Sequence, residues 1–309
     1  MKVLFVAGDP KAERWTALIR EQLPDAEVVV WSADTPACDA DYAIVWQPPA
    51  VLFERERRLK AVFNLGAGVD GLLQVPNLPR GIPVVRLEDA GMAAQMAEYV
   101  AYHVVEETRD LARYREQQAR RAWKILRPIE RGEWPIGVLG LGVIGRRVAA
   151  TLAALDYPVA GWARSADTLA GVEVFAGRER LGDFLARTRI LVNTLPLTDA
   201  TRDLIDHALL AQLKPDAVLI NVGRGEHVVD EDLLAAIDDG HVRRAVLDVF
   251  REEPLPPAHP YWSRPQVTIT PHIAARTLRE ATIAQIAAKI RALEAGEAIS
   301  GIVDLERGY

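Results

Sequence analysis

Residues 137–155 read "GVLGLGVIGRRVAATLAAL", and this stretch decides the fold. An apolar run leads into G-x-G-x-x-G spacing, and an amphipathic helical pattern follows. The first glycine of such a turn allows a tight bend, the second lets backbone amides approach a pyrophosphate, and the third lets the helix pack closely on the strand. The spacing alone also occurs in ordinary glycine-rich turns, so the strand and helix beside it carry the inference. We predict that a dinucleotide binds at Gly140, Gly142, Val143, Ile144 and Gly145.

The rest of this half of the chain predicts a doubly wound parallel sheet. Helical patterns fill the first four gaps between six apolar runs, and a Pro-rich connection precedes the last run. The predicted strands are Ile136–Leu139, Val159–Trp162, Ile190–Thr194, Ala217–Asn221, Ala245–Val249 and Val267–Thr270. A last helix is predicted from about Arg276 to Gly296.

The first hundred residues show a second parallel α/β pattern. The predicted strands are Val3–Ala7, Val28–Trp31, Tyr42–Trp46 and Ala61–Leu65, with a helix over Ala12–Leu23. One long amphipathic helix is predicted from Met92 to about Arg121, and the Pro-bearing basic stretch after it is interpreted as a connection. A chain of 309 residues fits two domains of ordinary size.

Composition excludes several classes of protein. Half of the residues are apolar, and the net charge of -6 leaves no broad basic face for nucleic acid. The single cysteine, Cys38, excludes an internal disulfide and a thiolate-rich metal site, and it fits a reducing compartment. The first residues resemble neither a signal peptide nor a membrane span. We expect a cytoplasmic protein without a metal, a membrane or a nucleic-acid partner.

The segment "GWARSAD" at 161–167 bears on the choice of cofactor. Enzymes that prefer NAD usually place Asp or Glu at the end of the second strand, where Arg164 and Ser165 stand here. A guanidinium and a hydroxyl suit a 2′-phosphate by charge and geometry, whereas the nearby Asp167 favours the opposite choice. We predict NADPH as the cofactor, with NADH as a weaker alternative.

Four further stretches carry a family resemblance: "NTLPLTDATRDLI", "INVGRGEHVVDEDLLAAI", "LDVFREEPLP" and "TPHIAARTLREA". Their order and spacing over about residues 60 to 309 resemble the D-isomer-specific 2-hydroxyacid dehydrogenases. The resemblance implies an α/β, two-lobed fold in which a flavodoxin-like substrate domain (1–98 and 275–309) faces a Rossmann cofactor domain (99–274) across a cleft.

Other stretches narrow the resemblance to one branch of that family. "VWQPP", "NLGAGVDGLL", "EDAGMAAQMAEYV" and the terminal "ERGY" resemble the glyoxylate/hydroxypyruvate reductases of type A. This implies NADPH-dependent reduction of small 2-oxo acids, glyoxylate to glycolate and hydroxypyruvate to D-glycerate.

Such a reaction needs a clamp for the carboxylate and a proton for the carbonyl oxygen. Arg224 follows a strand end and is positioned for a bidentate grip, and the glycines beside it let the backbone turn sharply. His272 resembles the family's acid/base, and an ordinary pKa of about 6.5 suits that work near neutrality. Glu253 matches the glutamate that pairs with this histidine, with Glu252 as its rival.

The resemblance also implies binding residues around these three. Towards the cofactor they are Leu195, Pro196, Val222, Gly223, Asp248 and His272; Asp248 either contacts the nicotinamide amide or caps a loop. Backbone amides after a strand suit a substrate carboxylate, although such a stretch is also an ordinary strand-to-helix turn. The predicted substrate residues are Trp46, Leu65, Gly66, Ala67, Gly68, Met92 and Arg224.

Three alternatives and one assembly prediction remain open at this stage. The first alternative is another D-2-hydroxyacid dehydrogenase, the second is an enzyme of phosphite or formate oxidation, and the third is a catalytically weak dinucleotide-sensing binding module. Formate enzymes of this superfamily carry Gln where Glu253 stands, which disfavours that version. As the family implies, we expect a homodimer, with the helix from Met92 and the basic stretch Trp123–Pro128 as its surface.

Overall fold

The computed structural model describes residues 1–9, 12–128, 130–165 and 167–309. The chain divides into two compact units, unit 1 (Met1–Gly91 and Thr277–Tyr309) and unit 2 (Met92–Arg276). The first boundary precedes the predicted 98/99 junction because helix α4 (Met92–Thr108) is continuous and packs on another helix of unit 2. The second boundary lies two residues beyond the predicted 274/275 junction.

Within the described residues, unit 1 contains a sheet of five parallel strands in the order β2-β1-β3-β4-β5. They are β1 (Lys2–Val6), β2 (Glu27–Val30), β3 (Tyr42–Val45), β4 (Ala61–Asn64) and β5 (Val84–Val85). Its helices are α1 (Ala12–Gln22), α2 (Val51–Arg55), α3 (Asp70–Leu73) and α10 (Arg279–Glu294). This strand order is the flavodoxin-like one. The sequence pattern misses β5, because two residues are too few to show an alternation.

The sheet of unit 2 has seven parallel strands in the part of the chain that is described, in the order β12-β11-β10-β9-β6-β7-β8. They are β6 (Ile136–Leu139), β7 (Val159–Ala163), β8 (Val172–Ala176), β9 (Ile190–Asn193), β10 (Ala217–Asn221), β11 (Val242–Leu247) and β12 (Val267–Ile269). The order reverses between β6 and β9, as in a doubly wound Rossmann sheet. The predicted fold class is therefore confirmed.

The ends of β7, β9 and β12 differ from the prediction by one residue each, and two larger differences stand beside them. The predicted count of six strands is wrong, since β8 was missed: it lies between Gly171 and Gly177, and its side chains are mostly half-buried, so its apolar signal is weak. Strand β11 begins three residues earlier than predicted, because Arg243 and Arg244 interrupt the apolar run that marks it.

Helices cover both faces of this sheet. They are α4 (Met92–Thr108), α6 (Val143–Ala154), α7 (Leu181–Arg187), α8 (His207–Leu210) and α9 (Asp230–Asp238), and a further helix, α5 (Leu111–Ala119), follows α4. On one face, Val100 and Val104 of α4 share an apolar cluster with Val148 and Leu152 of α6. A second cluster fills the opposite face. No helix within the described ranges is long and apolar enough to cross a membrane.

The prediction of one helix from Met92 to Arg121 is wrong, because the helix breaks at Asp110. This residue takes a left-handed conformation (φ 48°), which Asp tolerates better than most residues. The Arg243 guanidinium lies 3.5 Å from the Asp110 carboxylate and 3.7 Å from that of Glu107, so it stabilises the turn from outside. None of the residues of α5 is buried.

Candidate active site

The predicted site residues of unit 2 lie at the carboxyl ends of its strands, where open α/β sheets bind ligands. Gly140 follows β6 directly and Leu195 follows β9 within two residues, and these are the two strands between which the order reverses. The Thr194 hydroxyl lies 2.9 Å from the carbonyl oxygens of both Leu139 and Gly140. The Thr194 side chain thereby joins the loop that follows β9 to the loop that follows β6.

The three glycines of the loop meet different surroundings. Gly140 has φ +92°, a conformation that favours glycine. A Cβ at Gly145 would lie 1.8 Å from the Gly140 carbonyl oxygen, so the helix can pack here only without a side chain. A Cβ at Gly142 would meet nothing within 4 Å. The space over Gly142, at the N-terminus of the twelve-residue helix α6, therefore fits a dinucleotide pyrophosphate.

Arg164 and Ser165 stand exposed directly after β7, where a dinucleotide's adenosine ribose would be recognised. The nearby carboxylate of Asp167 is bound by Arg146 of α6, with Nη1 and Oδ2 2.5 Å apart. Its negative charge is thus paired with a cation within the chain. This weakens Asp167 as an argument against a 2′-phosphate.

Arg224 follows the end of β10 in an extended conformation, with φ -142° and ψ 152°. Neither neighbouring glycine has a positive φ. A Cβ at Gly223 would lie 2.9 Å from Asn193 Nδ2, and one at Gly225 would lie 1.9 Å from the Phe250 carbonyl carbon. The chain bends at Gly223 and enters a 3-10 turn at Gly225, as expected, and close packing around both positions is what requires glycine there.

His272 and Glu253 form a direct pair, with Nδ1 of the imidazole 2.8 Å from Oε2 of the carboxylate. The Phe250 N–H donates to the other carboxylate oxygen at 3.0 Å. Glu253, rather than Glu252, is the residue that contacts His272. With Nδ1 bound to Glu253, Nε2 is the ring nitrogen left to exchange a proton with a ligand.

The electrostatics of this pair favour its charged form. The hydrogen bond to Glu253 raises the pKa of His272 above its usual value, although burial opposes the rise. Burial alone would raise the pKa of Glu253, but hydrogen bonds from His272 and from Phe250 N–H hold it below its usual value. The Arg224 charge lowers the pKa of both groups, which places a third charge close to the pair.

Asp248 holds the loop that carries His272. Its carboxylate, 1 % exposed, accepts hydrogen bonds from Ile273 N–H at 2.9 Å and Ala274 N–H at 2.8 Å. Its carbonyl oxygen accepts from His272 N–H at 2.8 Å, and His272 has a positive φ of 54°. Of the two roles open to Asp248, the structure shows the loop cap.

Two hydroxyl groups, of Tyr99 and Thr270, form a chain of hydrogen bonds that ends at the Asp248 carboxylate. The Thr270 hydroxyl donates to Asp248 at 2.5 Å, so it must accept from the Tyr99 hydroxyl 2.7 Å away. Burial raises the pKa of Tyr99 to about 12, so this donor keeps its proton. The loop of His272 is thereby tied to helix α4.

The predicted substrate residues of unit 1 lie at the ends of β3 and β4. Trp46, 43 % exposed, lies across Gly66, where a Cβ would be 2.5 Å from its ring. The Asn64 side-chain amide donates to the carbonyls of Gly66 at 3.0 Å and Gly68 at 2.8 Å. Leu65 is buried and Ala67 is half-buried. These residues form a tightly held loop.

The remaining predicted binding residues are divided between surface and interior. Val143 and Pro196 are exposed, and Ile144 is half-buried. Leu195, Val222 and Met92 are buried, so their side chains serve mainly in packing. Met92 begins α4 and belongs to unit 2. In the described part of the chain, no group of three or more His, Cys, Asp or Glu side chains is arranged to hold a metal ion.

Sequence reasoning missed four residues that hold these loops: Asn64, Asn193, Asn221 and His227. Asn64 is 3 % exposed, and the other three residues are 0 % exposed. A buried polar residue directly at a strand end is the signal that could have found the asparagines, since such groups must be hydrogen-bonded.

The chain belongs to the D-isomer specific 2-hydroxyacid dehydrogenases. Residues 101–274 match the family profile described as "D-isomer specific 2-hydroxyacid dehydrogenase, NAD binding domain". This confirms the family resemblance seen in the sequence, and with it an oxidoreductase that has a dinucleotide-binding domain.

Individual relatives narrow the comparison. A protein of Yersinia enterocolitica named glyoxylate/hydroxypyruvate reductase A is 44% identical over 100% of both chains. A crystal structure of a D-isomer specific 2-hydroxyacid dehydrogenase from Xanthobacter autotrophicus Py2, in complex with NADPH and MES, has a TM-score of 0.94 at 38% identity and covers 100% of this chain and 99% of that one. An NADPH-dependent glyoxylate/hydroxypyruvate reductase from Sinorhizobium meliloti, in complex with NADP and sulfate, has a TM-score of 0.93 at 34% identity over the same shares.

Proposed function

We propose that this protein uses NADPH to reduce small 2-oxo acids, with glyoxylate giving glycolate and hydroxypyruvate giving D-glycerate. The observation that carries the proposal is the pairing of His272 with Glu253 near the charge of Arg224, in a sheet whose carboxyl edge also carries a glycine loop open for a dinucleotide. The full-length relative named glyoxylate/hydroxypyruvate reductase A supports this substrate class.

Each residue has a defined role in this reaction. When bound, the reduced nicotinamide supplies the hydride to the carbonyl carbon. Arg224 binds the substrate carboxylate and polarises the carbonyl oxygen through its planar fork of N–H donors. His272, kept protonated by Glu253, gives its proton to the carbonyl oxygen as the hydride arrives, which completes the alcohol. The neutral imidazole is then reprotonated from solvent.

The cofactor choice is supported by the residues after β7. Arg164 and Ser165 are exposed and supply a cation and a hydroxyl for a 2′-phosphate, and the carboxylate of Asp167, two residues after Ser165, is bound by Arg146. The two structural relatives described above were crystallised with NADPH and NADP. We propose NADPH as the preferred cofactor and NADH as a weaker one.

In unit 1, the substrate-binding residues are proposed to include Trp46 and the loop Leu65–Gly68. The loop is fixed from below by Asn64, and Trp46 presents an exposed ring beside it. A rigid loop next to a bulky ring suits a small acid, because rigid walls exclude long side chains.

One assay tests the proposed function: the absorbance of NADPH and of NADH is followed with glyoxylate, hydroxypyruvate, pyruvate and phenylpyruvate in turn. We expect the highest kcat/KM for NADPH with glyoxylate or hydroxypyruvate, and His272→Asn should lower turnover by about 10²–10⁴. Equal kcat/KM with both cofactors would reject the NADPH preference. Cofactor binding without oxidation by any of the four acids would reject the reductase and favour a dinucleotide-sensing module.

We also propose that two copies of the chain associate through the segment after α5. Trp123 is 97% exposed and Ile125 is 82% exposed, which is unusual for large apolar side chains. The surrounding residues 111–128 are basic, whereas the chain as a whole has a net charge of -6. Residue 129, at the end of this stretch, lies outside the described residues.

A further inference from the structure

His227 is wholly buried at the base of the loop that carries Arg224. Its Nδ1 atom lies 3.1 Å from the Arg224 backbone nitrogen and 2.8 Å from Asn193 Nδ2. A backbone N–H can only donate, so Nδ1 is an acceptor and the proton of the neutral ring is on Nε2. The Asn193 amide is oriented by Leu195 N–H, which donates to its oxygen at 3.2 Å. The tautomer of His227 is thereby fixed.

The protonated side of the same ring faces a different loop. Nε2 lies 3.2 Å from the carbonyl oxygen of Pro196, to which it donates. Pro196 follows β9, on the side of the site proposed for the cofactor, whereas Arg224 follows β10. One imidazole therefore joins the cofactor loop to the arginine loop.

Asn221 completes the support of Arg224. Its side-chain amide donates to the Arg224 carbonyl oxygen at 2.9 Å, and its oxygen accepts from Gly223 N–H at 3.2 Å. Side chains therefore hold both the backbone N–H and the backbone carbonyl of Arg224. The backbone from which the guanidinium extends is thereby fixed at both polar groups, and Nη1 of the guanidinium donates to the Gly223 carbonyl oxygen at 2.8 Å.

The packing leaves the ring little freedom to shift. A Cβ added at Gly223 would lie 3.1 Å from His227 Nδ1 and 2.9 Å from Asn193 Nδ2, tighter than almost all real contacts. The imidazole, the asparagine amide and the Gly223 backbone thus fill the same small volume. Any residue that replaces His227 must supply its hydrogen bonds from nearly the same atomic positions.

We infer that His227 is a positioning residue with two separable functions: Nδ1 sets Arg224 for the substrate carboxylate, and Nε2–H sets the Pro196 loop for the cofactor. This inference rests on the proposed function, since it takes Arg224 as the substrate anchor. His227 itself touches neither the reacting atoms nor the His272–Glu253 pair in the contacts described above.

Two substitutions separate the functions. In His227→Asn, the amide oxygen takes the place of Nδ1 and nothing reaches Pro196. In His227→Gln, the amide nitrogen takes the place of Nε2 and nothing accepts from Arg224 N–H. Loss of one buried hydrogen bond corresponds to about a tenfold change in a binding constant.

The expected results are opposite for the two variants. His227→Gln should raise KM for glyoxylate about tenfold and leave the Kd of NADPH unchanged, whereas His227→Asn should raise the Kd of NADPH about tenfold and leave KM for glyoxylate unchanged. The decline of kcat/KM with pH should stay in place in both, because His272 and Glu253 are untouched. A merely structural role would change both constants together in both variants, and that result would overturn the inference.

His241→Gln is the matched control. His241 is half-buried, its Nε2 lies 3.0 Å from the Leu210 carbonyl oxygen, and it precedes β11 away from the loops of Arg224 and Pro196. This variant should leave both constants unchanged. A loss equal to that of the His227 variants would show a general effect of removing a histidine, and would count against the inference.

Hydrogen–deuterium exchange of the peptide 220–229 gives a readout that needs no substrate. Exchange at Arg224 N–H should be faster in His227→Gln than in the unsubstituted protein and in His227→Asn. Equal exchange in all three would overturn the inference. A failure of the proposed function is distinguishable, since it would show as an unsubstituted protein that binds NADPH but oxidises it with none of the acids.

Discussion

The His272 imidazole and the Glu253 carboxylate lie 2.8 Å apart, although 19 residues separate them and neither belongs to a helix or strand. Their side chains are 46% and 37% exposed, so the pair is open to a ligand and to solvent. The pKa of His272 is raised by its partner, and this sets the pH range in which the acid is ready.

Glu253→Gln should move the pH dependence of reduction to lower pH. His272 must be protonated to act, so kcat/KM is high below its pKa and declines as pH rises through it. The carboxylate raises this pKa, and a neutral amide removes that effect. The profile of kcat/KM for glyoxylate over about pH 5 to 9 should therefore decline earlier in the variant.

Glu252→Gln is the control for this profile, since Glu252 neighbours Glu253 and carries the same charge. It should leave the midpoint of the decline where it is. A midpoint that moves equally in both variants would assign the effect to general charge rather than to the contact with His272.

Arg224→Lys should weaken substrate binding while the protein remains folded. An ammonium cannot reproduce the two parallel hydrogen bonds of a guanidinium to a carboxylate, and charge-assisted hydrogen bonds contribute about 1.5–3 kcal/mol each. We expect KM for glyoxylate to rise at least tenfold. Arg57→Lys in unit 1, whose guanidinium binds the Glu54 carbonyl, is the control. An unchanged KM in Arg224→Lys would show that another group binds the carboxylate.

Two glycine substitutions should impair different properties: Gly142→Ala should weaken NADPH binding, and Gly145→Ala should lower the stability of the fold. Gly142→Ala meets no atom within 4 Å, so its Tm should stay near that of the unsubstituted protein while its affinity for NADPH falls. Gly145→Ala would place Cβ 1.8 Å from the Gly140 carbonyl oxygen, so its Tm should fall. Thermal unfolding and NADPH titration on both variants measure this. Undiminished NADPH affinity in Gly142→Ala would contradict the proposed pyrophosphate position.

Arg164→Ala should reduce the preference for NADPH. Removing the cation after β7 costs interaction with a 2′-phosphate and leaves NADH, which lacks that group, almost unaffected. The ratio of kcat/KM values for the two cofactors measures the effect. Arg178→Ala, a change of another cation in the same unit, is the control, and an unaltered ratio in Arg164→Ala would remove this residue from cofactor selection.

Trp123→Asp combined with Ile125→Asp should produce a monomer. A charged group on a surface buried between two copies is costly to desolvate, so association should be lost. Sedimentation of the unsubstituted protein should give twice the mass of one chain, and the double variant the mass of one. Tyr102→Asp, an exposed aromatic change on α4, tests whether that helix also belongs to the surface. A monomeric unsubstituted protein would reject the proposed dimer.

Much of the fold could be predicted because its signals are local. The buried strand before Gly140 and the glycine spacing lie within one short stretch, and the strands β6 and β10 have the predicted bounds. Strand β8 was missed because most of its side chains are half-buried and its apolar signal is weak, whereas the break at Asp110 was missed because it depends on a distant residue. Burial of β8 depends on β7 beside it, and the break at Asp110 is stabilised by Arg243, far along the chain.

The candidate site also contains residues that the sequence predicts and residues that only the fold reveals. Arg224, Glu253 and His272 stand in motifs that can be recognised from the sequence, and the contact between the last two follows the expected pairing. The contacts of His227 could not be predicted, because nothing near it in the sequence shows that Asn193 and Pro196 meet it in space. A histidine in a loop is ordinarily solvated, and only the fold shows this one to be buried.

The division of the chain into two units has a consequence for its diversification. The proposed proton donor, its partner and the arginine all lie in unit 2, whereas Trp46 and the Gly66–Gly68 loop lie in unit 1. The mutual geometry of His272, Glu253 and Arg224 is therefore encoded in one uninterrupted stretch of chain, Met92–Arg276. On the proposed assignment of roles, Trp46 and its neighbouring loop can change without any change to His272, Glu253 or Arg224, which makes this architecture modular at the level of the gene.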